Sequence, residues 1–230
     1  MKKFEIHQDK CALKVGTDGI ILGAWTNVNH QKEILDIGTG TGLISLMLAQ
    51  RNKEALLTAI EIDKDASQQA QSNFSISPWK NRLTLEHSSL QEYNCTKKFD
   101  LIVSNPPFFN NALKSESEQK NTARHTDSLS QEDLLNYSLK HLKTEGTLSL
   151  ILPCQEAEQI TELASKKGLF LQRRCIVQNT SEAKPIRWMM EFSCTQPDSI
   201  TEEKLIIREK DKRTYTEEFK MLTKDFYTIF

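Results

Sequence analysis

A chain of 230 residues holds one α/β domain with a full core and leaves no room for a second of that size plus a linker. Its 30 Lys and Arg nearly balance 31 Asp and Glu, so the net charge of -1 excludes capture of a nucleic acid by bulk attraction; any such partner must be held by a local patch. Cys11, Cys95, Cys154, Cys175 and Cys194 form no Cys-x-x-Cys pair and are odd in number, which argues against a disulfide framework and a zinc site.

No apolar run approaches membrane-spanning length, and the basic start Met1-Lys2-Lys3 has no apolar leader behind it. A cytoplasmic, unexported chain with no membrane or metal partner is expected, and a monomer is assumed. One domain over 1–230 is expected, with an N-terminal extension (about 1–30) and a C-terminal strand and helix tail (about 200–230).

The extension carries a short alternating piece, Cys11 to Val15, and a turn, Gly16-Thr17-Asp18-Gly19, that opens an apolar helix from Ile20 to Trp25. On local grounds Asp18 reads as that helix's N-cap. The strand Glu33-Ile34-Leu35-Asp36-Ile37 then runs into Gly38-Thr39-Gly40-Thr41-Gly42 and a helix from Leu43 to Gln50. Strand, glycine-rich turn and helix make the first unit of a doubly wound fold, in which a ligand approaches backbone N–H groups. Leu43 stands where a dinucleotide fingerprint needs its third glycine, which weakens a dehydrogenase reading.

A second strand, Leu56 to Ile60, ends in Glu61-Ile62-Asp63. Glu61 lies about 20 residues past the glycine turn, where a carboxylate accepts hydrogen bonds from ribose hydroxyls, with Asp63 its rival if the register slips. A helix from Asp65 to Phe74 and a third strand, Arg82 to Glu86, lead to the turn His87-Ser88-Ser89-Leu90; His87 reads as a surface turn residue.

Strand four, Phe99 to Ser104, stops in Asn105-Pro106-Pro107-Phe108. Proline fixes φ, removes an N–H and pushes its predecessor into an extended conformation. The loop so formed offers an amide side chain, a carbonyl and an aromatic face: Asn105 and the Pro106 carbonyl can each accept one hydrogen of an exocyclic amine while Phe108 stacks on its ring. A nucleobase amine or a carboxamide suits it equally, and an ordinary strand-ending turn is the bland alternative. The polar stretch from Phe109 to Ser130 has no hydrophobic period and reads as a flap beside the site, bearing Arg124 and His125.

A helix opening at Ser130 presents Leu134, Leu135, Leu139 and Leu142. Strand five, Thr147 to Leu152, follows, then a helix from Gln155 to Lys167 closed by Gly168. Leu169 to Gln178 and Ile186 to Cys194 are strands joined by a loop alone, hence an antiparallel pair. The tail holds Leu205-Ile206-Ile207, a charged loop from Arg208 to Arg213 and an amphipathic helix from Tyr215 to Phe226.

The run Asp36 to Gly42 together with Asn105-Pro-Pro-Phe108 resembles the class I S-adenosylmethionine-dependent methyltransferases that modify exocyclic amines. Two flanking pieces, Lys14 to Trp25 and Tyr215 to Tyr227, are similar to the bacterial family that methylates N6 of the adenosine just 3′ of the anticodon in a valine tRNA. The likeness covers nearly the whole chain. It implies a Rossmann-like α/β fold with a seven-stranded, mostly parallel sheet, a C-terminal antiparallel hairpin and helices on both faces. It implies S-adenosyl-L-methionine as cofactor and tRNA as partner.

Asn105, Pro106, Pro107 and Phe108 are then the catalytic loop. Asp18, Asp36, Gly38, Gly40, Gly42, Glu61 and Ser89 are the cofactor positions, with Asp36 near the methionine ammonium and Glu61 on the ribose. Ser89 departs from the family pattern, in which an aspartate usually reads the adenine amine. Arg124, Arg173, Arg174, Lys184 and Arg187 are the expected RNA contacts, with Lys2 and Lys3 as further candidates. The Asn-Pro-Pro-Phe motif is shared with enzymes acting on ribosomal RNA, DNA and release-factor glutamine. A release-factor enzyme would need an N-terminal domain that the residues before Glu33 do not provide. A non-catalytic binding module remains the reading from another class.

Overall fold

The computed structural model describes residues 1–9, 15–107 and 129–228. The short piece at Cys11, Phe108, Arg124 and His125 lie outside the described residues.

Helix α1 (Thr17–Trp25) precedes β1 (Glu33–Ile37), α2 (Leu43–Arg51), β2 (Leu56–Glu61), α3 (Lys64–Ile76), β3 (Leu83–His87) and β4 (Phe99–Ser104). Then come α4 (Gln131–His141), β5 (Leu142–Pro153), α5 (Cys154–Lys167), β6 (Phe170–Gln178), β7 (Pro185–Ser193), β8 (Thr201–Ile206) and α6 (Glu217–Thr223). The strands form one sheet in the order β3-β2-β1-β4-β5-β7-β6-β8. The first five are parallel, β7 runs antiparallel between β5 and β6, and β8 pairs parallel with β6.

That makes eight strands among the described residues where seven were expected. The additional one is β8, read from sequence as part of a tail. Its residues Thr-Glu-Glu-Lys-Leu-Ile show a single buried position, so its hydrophobic signal is weak. Charge complementarity supplies what apolar burial does not, because Glu202 and Glu203 pair with Arg174 and Arg173 of β6.

Alternation along the strands sends Ile34, Leu101, Val103 and Ile151 to one face, against α1, α2 and α6. Leu35, Ile37, Ile102, Leu150 and Leu152 face the other way, against α4 and α5. Helix ends follow local chemistry. Ser130 caps α4 by accepting from the Asp133 N–H, Asp63 caps α3 by accepting from Ala66, and Gly168 closes α5 at φ 90°. No helix of the described residues is long and apolar enough to cross a membrane.

Candidate active site

A cavity of about 220 Å³ opens at the carboxyl ends of β1, β2 and β4, where a doubly wound sheet receives its ligand. Its walls include Ile37, Gly38, Gly40, Ile60, Glu61 and Ile62 on one side, and Ser89, Leu90, Asn105, Pro107 and Leu129 on the other. The turn after β1 and the loop after β4 therefore share one space.

The turn is shaped by three glycines at positive φ: Gly38 at 69°, Gly40 at 58° and Gly42 at 83°. They do different jobs. A Cβ added at Gly38 or Gly40 would meet nothing within 4 Å, so both leave open room beside backbone. A Cβ at Gly42 would lie 2.5 Å from Phe74 Cε1, so this glycine serves packing against α3 and does not line the cavity.

Asp36 lies beneath the turn, fully buried. Its Oδ2 accepts from Thr39 Oγ1 (2.6 Å), Ser45 Oγ (2.7 Å) and Ser45 N (3.2 Å), tying turn to helix. Its Oδ1 has no hydrogen-bond partner among the described residues. Burial pushes the carboxyl up to about 6, against the pull of the Thr39 and Ser45 hydrogen bonds. Asn73, also fully buried, donates to the Thr41 carbonyl at 2.8 Å and holds the turn from below.

Glu61 is 8 % exposed and lines the cavity. Its Oε2 accepts from Gly40 N–H at 2.8 Å and its Oε1 from Asp63 N–H at 2.9 Å. A carboxylate offers about four lone-pair sites, so roughly two are left for hydroxyls in the cavity. The rival Asp63 uses its side chain as a helix cap. Ser89 donates to Glu92 Oε2 (3.0 Å) and accepts from Glu92 N–H (3.2 Å). Its proton is thus committed, and it faces the cavity as an acceptor.

Ser104, fully buried at the end of β4, donates to the Ile37 carbonyl at 2.7 Å and locks the start of the Asn105 loop to the end of β1. Asn105 is half-buried, Pro106 buried and Pro107 exposed.

Asp18 stands apart from these groups. It occupies the first turn of α1, whose N-cap is Gly16, and its Oδ2 accepts from Arg187 Nε at 2.7 Å. A residue expected at the cofactor and one expected at RNA thus meet each other. The other expected RNA contacts also divide.

Arg173 lies 3.9 Å over the Trp25 ring, donates to the Trp25 carbonyl (2.9 Å) and pairs with Glu191 (3.2 Å) and Glu203 (3.7 Å). It is an internal pin between β6, β7, β8 and α1. Arg174, on the opposite face, stacks on Trp188 and pairs with Glu202. Neither lies in a turn at the carboxyl end of the sheet. Lys184 does, exposed in the turn between β6 and β7. His87 is exposed at the end of β3, with its ring 3.0 Å from the Ile62 carbonyl.

Sequence reasoning missed Ile62, Leu90 and Leu129 as apolar walls, because single apolar residues in turns carry no periodic signal. It missed Thr39, Ser45 and Asn73 as supports of the turn because a lone polar residue announces no partner, and Asn73 reaches the turn from 32 positions away. No group of His, Cys, Asp and Glu among the described residues is arranged to hold a metal ion.

The methyltransferase small domain family model matches residues 15–167. A tRNA1(Val) (adenine(37)-N6)-methyltransferase of Parabacteroides distasonis is 46 % identical over 228 residues, spanning 98 % of this chain and 95 % of that protein. Its counterpart in Trichodesmium erythraeum is 46 % identical with the same coverage, and that of Pseudoalteromonas translucida is 42 % identical, covering 98 % and 96 %. Among solved structures, one described as a predicted O-methyltransferase from Agrobacterium tumefaciens superposes with a TM-score of 0.69 at 17 % identity, over 90 % of this chain and 96 % of that one. A glycopeptide N-methyltransferase complexed with S-adenosylmethionine gives 0.57 at 13 % identity, over 80 % and 100 %. These structures share the fold. The chain belongs to the methyltransferase small domain family and, within it, to the tRNA1(Val) (adenine(37)-N6)-methyltransferases.

Proposed function

We propose that this protein transfers the methyl group of S-adenosylmethionine to N6 of an adenine in tRNA, adenosine 37 of a valine tRNA. The observation that carries the reading is that one cavity is lined both by the glycine turn with Glu61 and by Asn105. A donor held by the first and an acceptor held by the second come into contact without any rearrangement of the sheet.

The residues fit the cofactor. Gly38 and Gly40 leave backbone open to it, Glu61 has lone pairs for a ribose diol, and Ser89 presents an acceptor to an adenine amine. The Asp36 carboxyl, with one oxygen unpartnered, supplies negative charge behind the turn for a methionine ammonium group. Bound there, S-adenosylmethionine supplies an electrophilic methyl group.

The chain's own work is positioning and charge stabilisation. An adenine amine is a weak nucleophile because its lone pair is delocalised into the ring. Asn105 Oδ1 and the Pro106 carbonyl each accept one of its hydrogens, which favours the pyramidal nitrogen that forms as the methyl arrives. These bonds strengthen toward the transition state, where they lower the barrier. No side-chain base is needed early, because the nitrogen becomes acidic only once methylated; the N6 proton then passes to solvent, with the sulfonium released as the neutral thioether S-adenosylhomocysteine. Ile62, Leu90 and Leu129 give the cavity an apolar wall. Phe108 is the proposed stacking platform for the extruded base, worth about 1–3 kcal/mol per base.

Incubating purified tRNA isoacceptors with the enzyme and S-adenosylmethionine, then analysing the nucleosides by mass spectrometry, tests the reading. N6-methyladenosine appearing at position 37 of a valine isoacceptor is expected. Tight calorimetric binding of NAD with none of S-adenosylhomocysteine overturns it.

A further inference from the structure

Strand direction puts two surface turns on the same sheet edge as the cavity. β6 runs parallel to β5, and β8 runs parallel to β6. The end of β6 at Gln178, the start of β7 at Pro185 and the end of β8 at Ile206 therefore point to the same side of the sheet as Ser104 at the end of β4, and on β6 and β8 they stand four residues beyond its register level, which runs through Leu150, Met190, Arg174 and Glu202. The turns that follow β6 (179–184) and β8 (207–215) touch: Arg208 N–H donates to the Asn179 carbonyl at 2.8 Å and Lys210 pairs with Glu182 at 2.7 Å. Together they carry Lys184, Arg208, Lys210, Lys212 and Arg213 against Glu182, Glu209 and Asp211. That is a local positive excess in a chain of net charge -1.

The second turn is built to hold one shape. Asp211 accepts from the N–H groups of Arg213 and Thr214 and from the Thr214 hydroxyl, while Arg208 donates to the Arg213 carbonyl and lies 4.3 Å over the Tyr215 ring. Tyr215 in turn stacks on Phe219 of α6. At its tip Lys212 is held at φ 61°, a conformation that glycine adopts freely and that a side-chain-bearing residue adopts at a cost. Lys212 and Arg213 are exposed and have no ion-pair partner among the described residues. Arg173, Arg174 and Arg187, by contrast, are paired with carboxylates. A lysine kept where glycine would be easier, on a turn braced from three sides, points to a need for its charge.

We infer that this turn, with Lys184 beside it, is the dock for the phosphate backbone of the RNA substrate. The inference rests on the proposed function for the identity of that substrate. β8 lies four strands from β4, roughly 19 Å across the sheet, and its end stands roughly 13 Å further along at ordinary strand spacing and rise. A base extruded into the Asn105 loop can thus have its flanking stem lying across the edge toward the dock. Phosphate contacts of this kind position the RNA without reading its sequence.

The test is tRNA binding by the full chain across a salt series, run beside S-adenosylmethionine calorimetry and thermal melting. Lys212→Gly removes the charge and relieves the backbone. It should weaken tRNA binding three- to tenfold and lower the slope of log affinity against log salt by about 0.7–0.9, the effect of one lost phosphate contact. It should also melt no lower than wild type and bind cofactor equally. Reversing Lys184, Lys212 and Arg213 together to Glu should cost a hundredfold or more.

Wild-type tRNA affinity and slope in both variants overturn the dock. So does an affinity loss in Lys212→Gly that comes with a lower melting temperature, which marks a purely structural turn. A wild-type chain that binds tRNA yet never methylates it overturns the proposed function instead, and the salt series still judges the dock.

Discussion

The two halves of the sheet handle charge in opposite ways. On the β3-β2-β1-β4 side, the two carboxylates at the site are buried and turned onto the glycine turn: Asp36 and Glu61 each hold N–H or hydroxyl groups of it. On the β5-β7-β6-β8 side, arginines and glutamates cancel one another across strands, while Lys184, Lys212 and Arg213 at the rim have no ion-pair partner among the described residues. A site for a small, partly apolar ligand is made from backbone conformation. A site for a long polyanion is made from what is left after internal pairing.

The largest break in this contrast is expected at the boundary. Asn105→Ala removes an acceptor that matters as the amine pyramidalises, so single-turnover methylation should fall by about 10²–10³ while tRNA affinity holds. A near wild-type rate would make Asn105 a turn residue. On the paired side, Arg173→Ala strands Glu191, which is 7 % exposed and whose pKa burial already raises despite the guanidinium beside it. Chemical denaturation should show a loss of roughly 2–3 kcal/mol, with unchanged tRNA binding once the variant is folded. Weakened binding by a variant of full stability would put Arg173 back on the RNA surface.

Glu61→Ala sharpens the other side. It should weaken cofactor binding by about 1.5–3 kcal/mol, since it removes hydrogen bonds to a charged group and frees the Gly40 N–H. Equal titration curves for variant and wild type would remove Glu61 from the site.

The smallest effect is a pH dependence centred on Asp36, raised from its ordinary 3.8 to about 6. The folded chain holds this proton more tightly than the unfolded one. The group's contribution to stability is therefore full below about 3.8 and lost as pH rises through about 6. An ammonium group bound nearby favours the charged carboxylate, so cofactor affinity should move the other way, rising up to about tenfold between about pH 5 and about pH 7. A flat profile would leave Asp36 as a brace for the turn alone.

The same contrast explains what the sequence disclosed. β1 to β5, the glycine turn and the placing of Glu61 rest on neighbours in the chain, where apolar runs and glycines have a fixed local meaning. Gly168 and Ser130 were legible as helix ends for that reason. Arg173 and Arg174 look like one basic patch on paper, yet strand alternation sends them to opposite faces. The Asp18–Arg187 pair joins positions 169 apart in sequence, and no local pattern announces it. β8 was legible only as the strand of a tail and not as an eighth strand of the sheet, because its partners, more than its own residues, seat it there.

The hydrogen bond from Ser104 to the Ile37 carbonyl has a further consequence. It fastens the strand under the donor loop to the strand under the acceptor loop at the last register pair of both strands. The gap between the two loops is then a property of the sheet lattice, about 4.7–4.9 Å per strand, and it widens only if the sheet itself gives way. Heating should leave the methyl-transfer step intact almost up to the cooperative melt, whereas RNA capture, carried on an outlying turn, can fail earlier and separately.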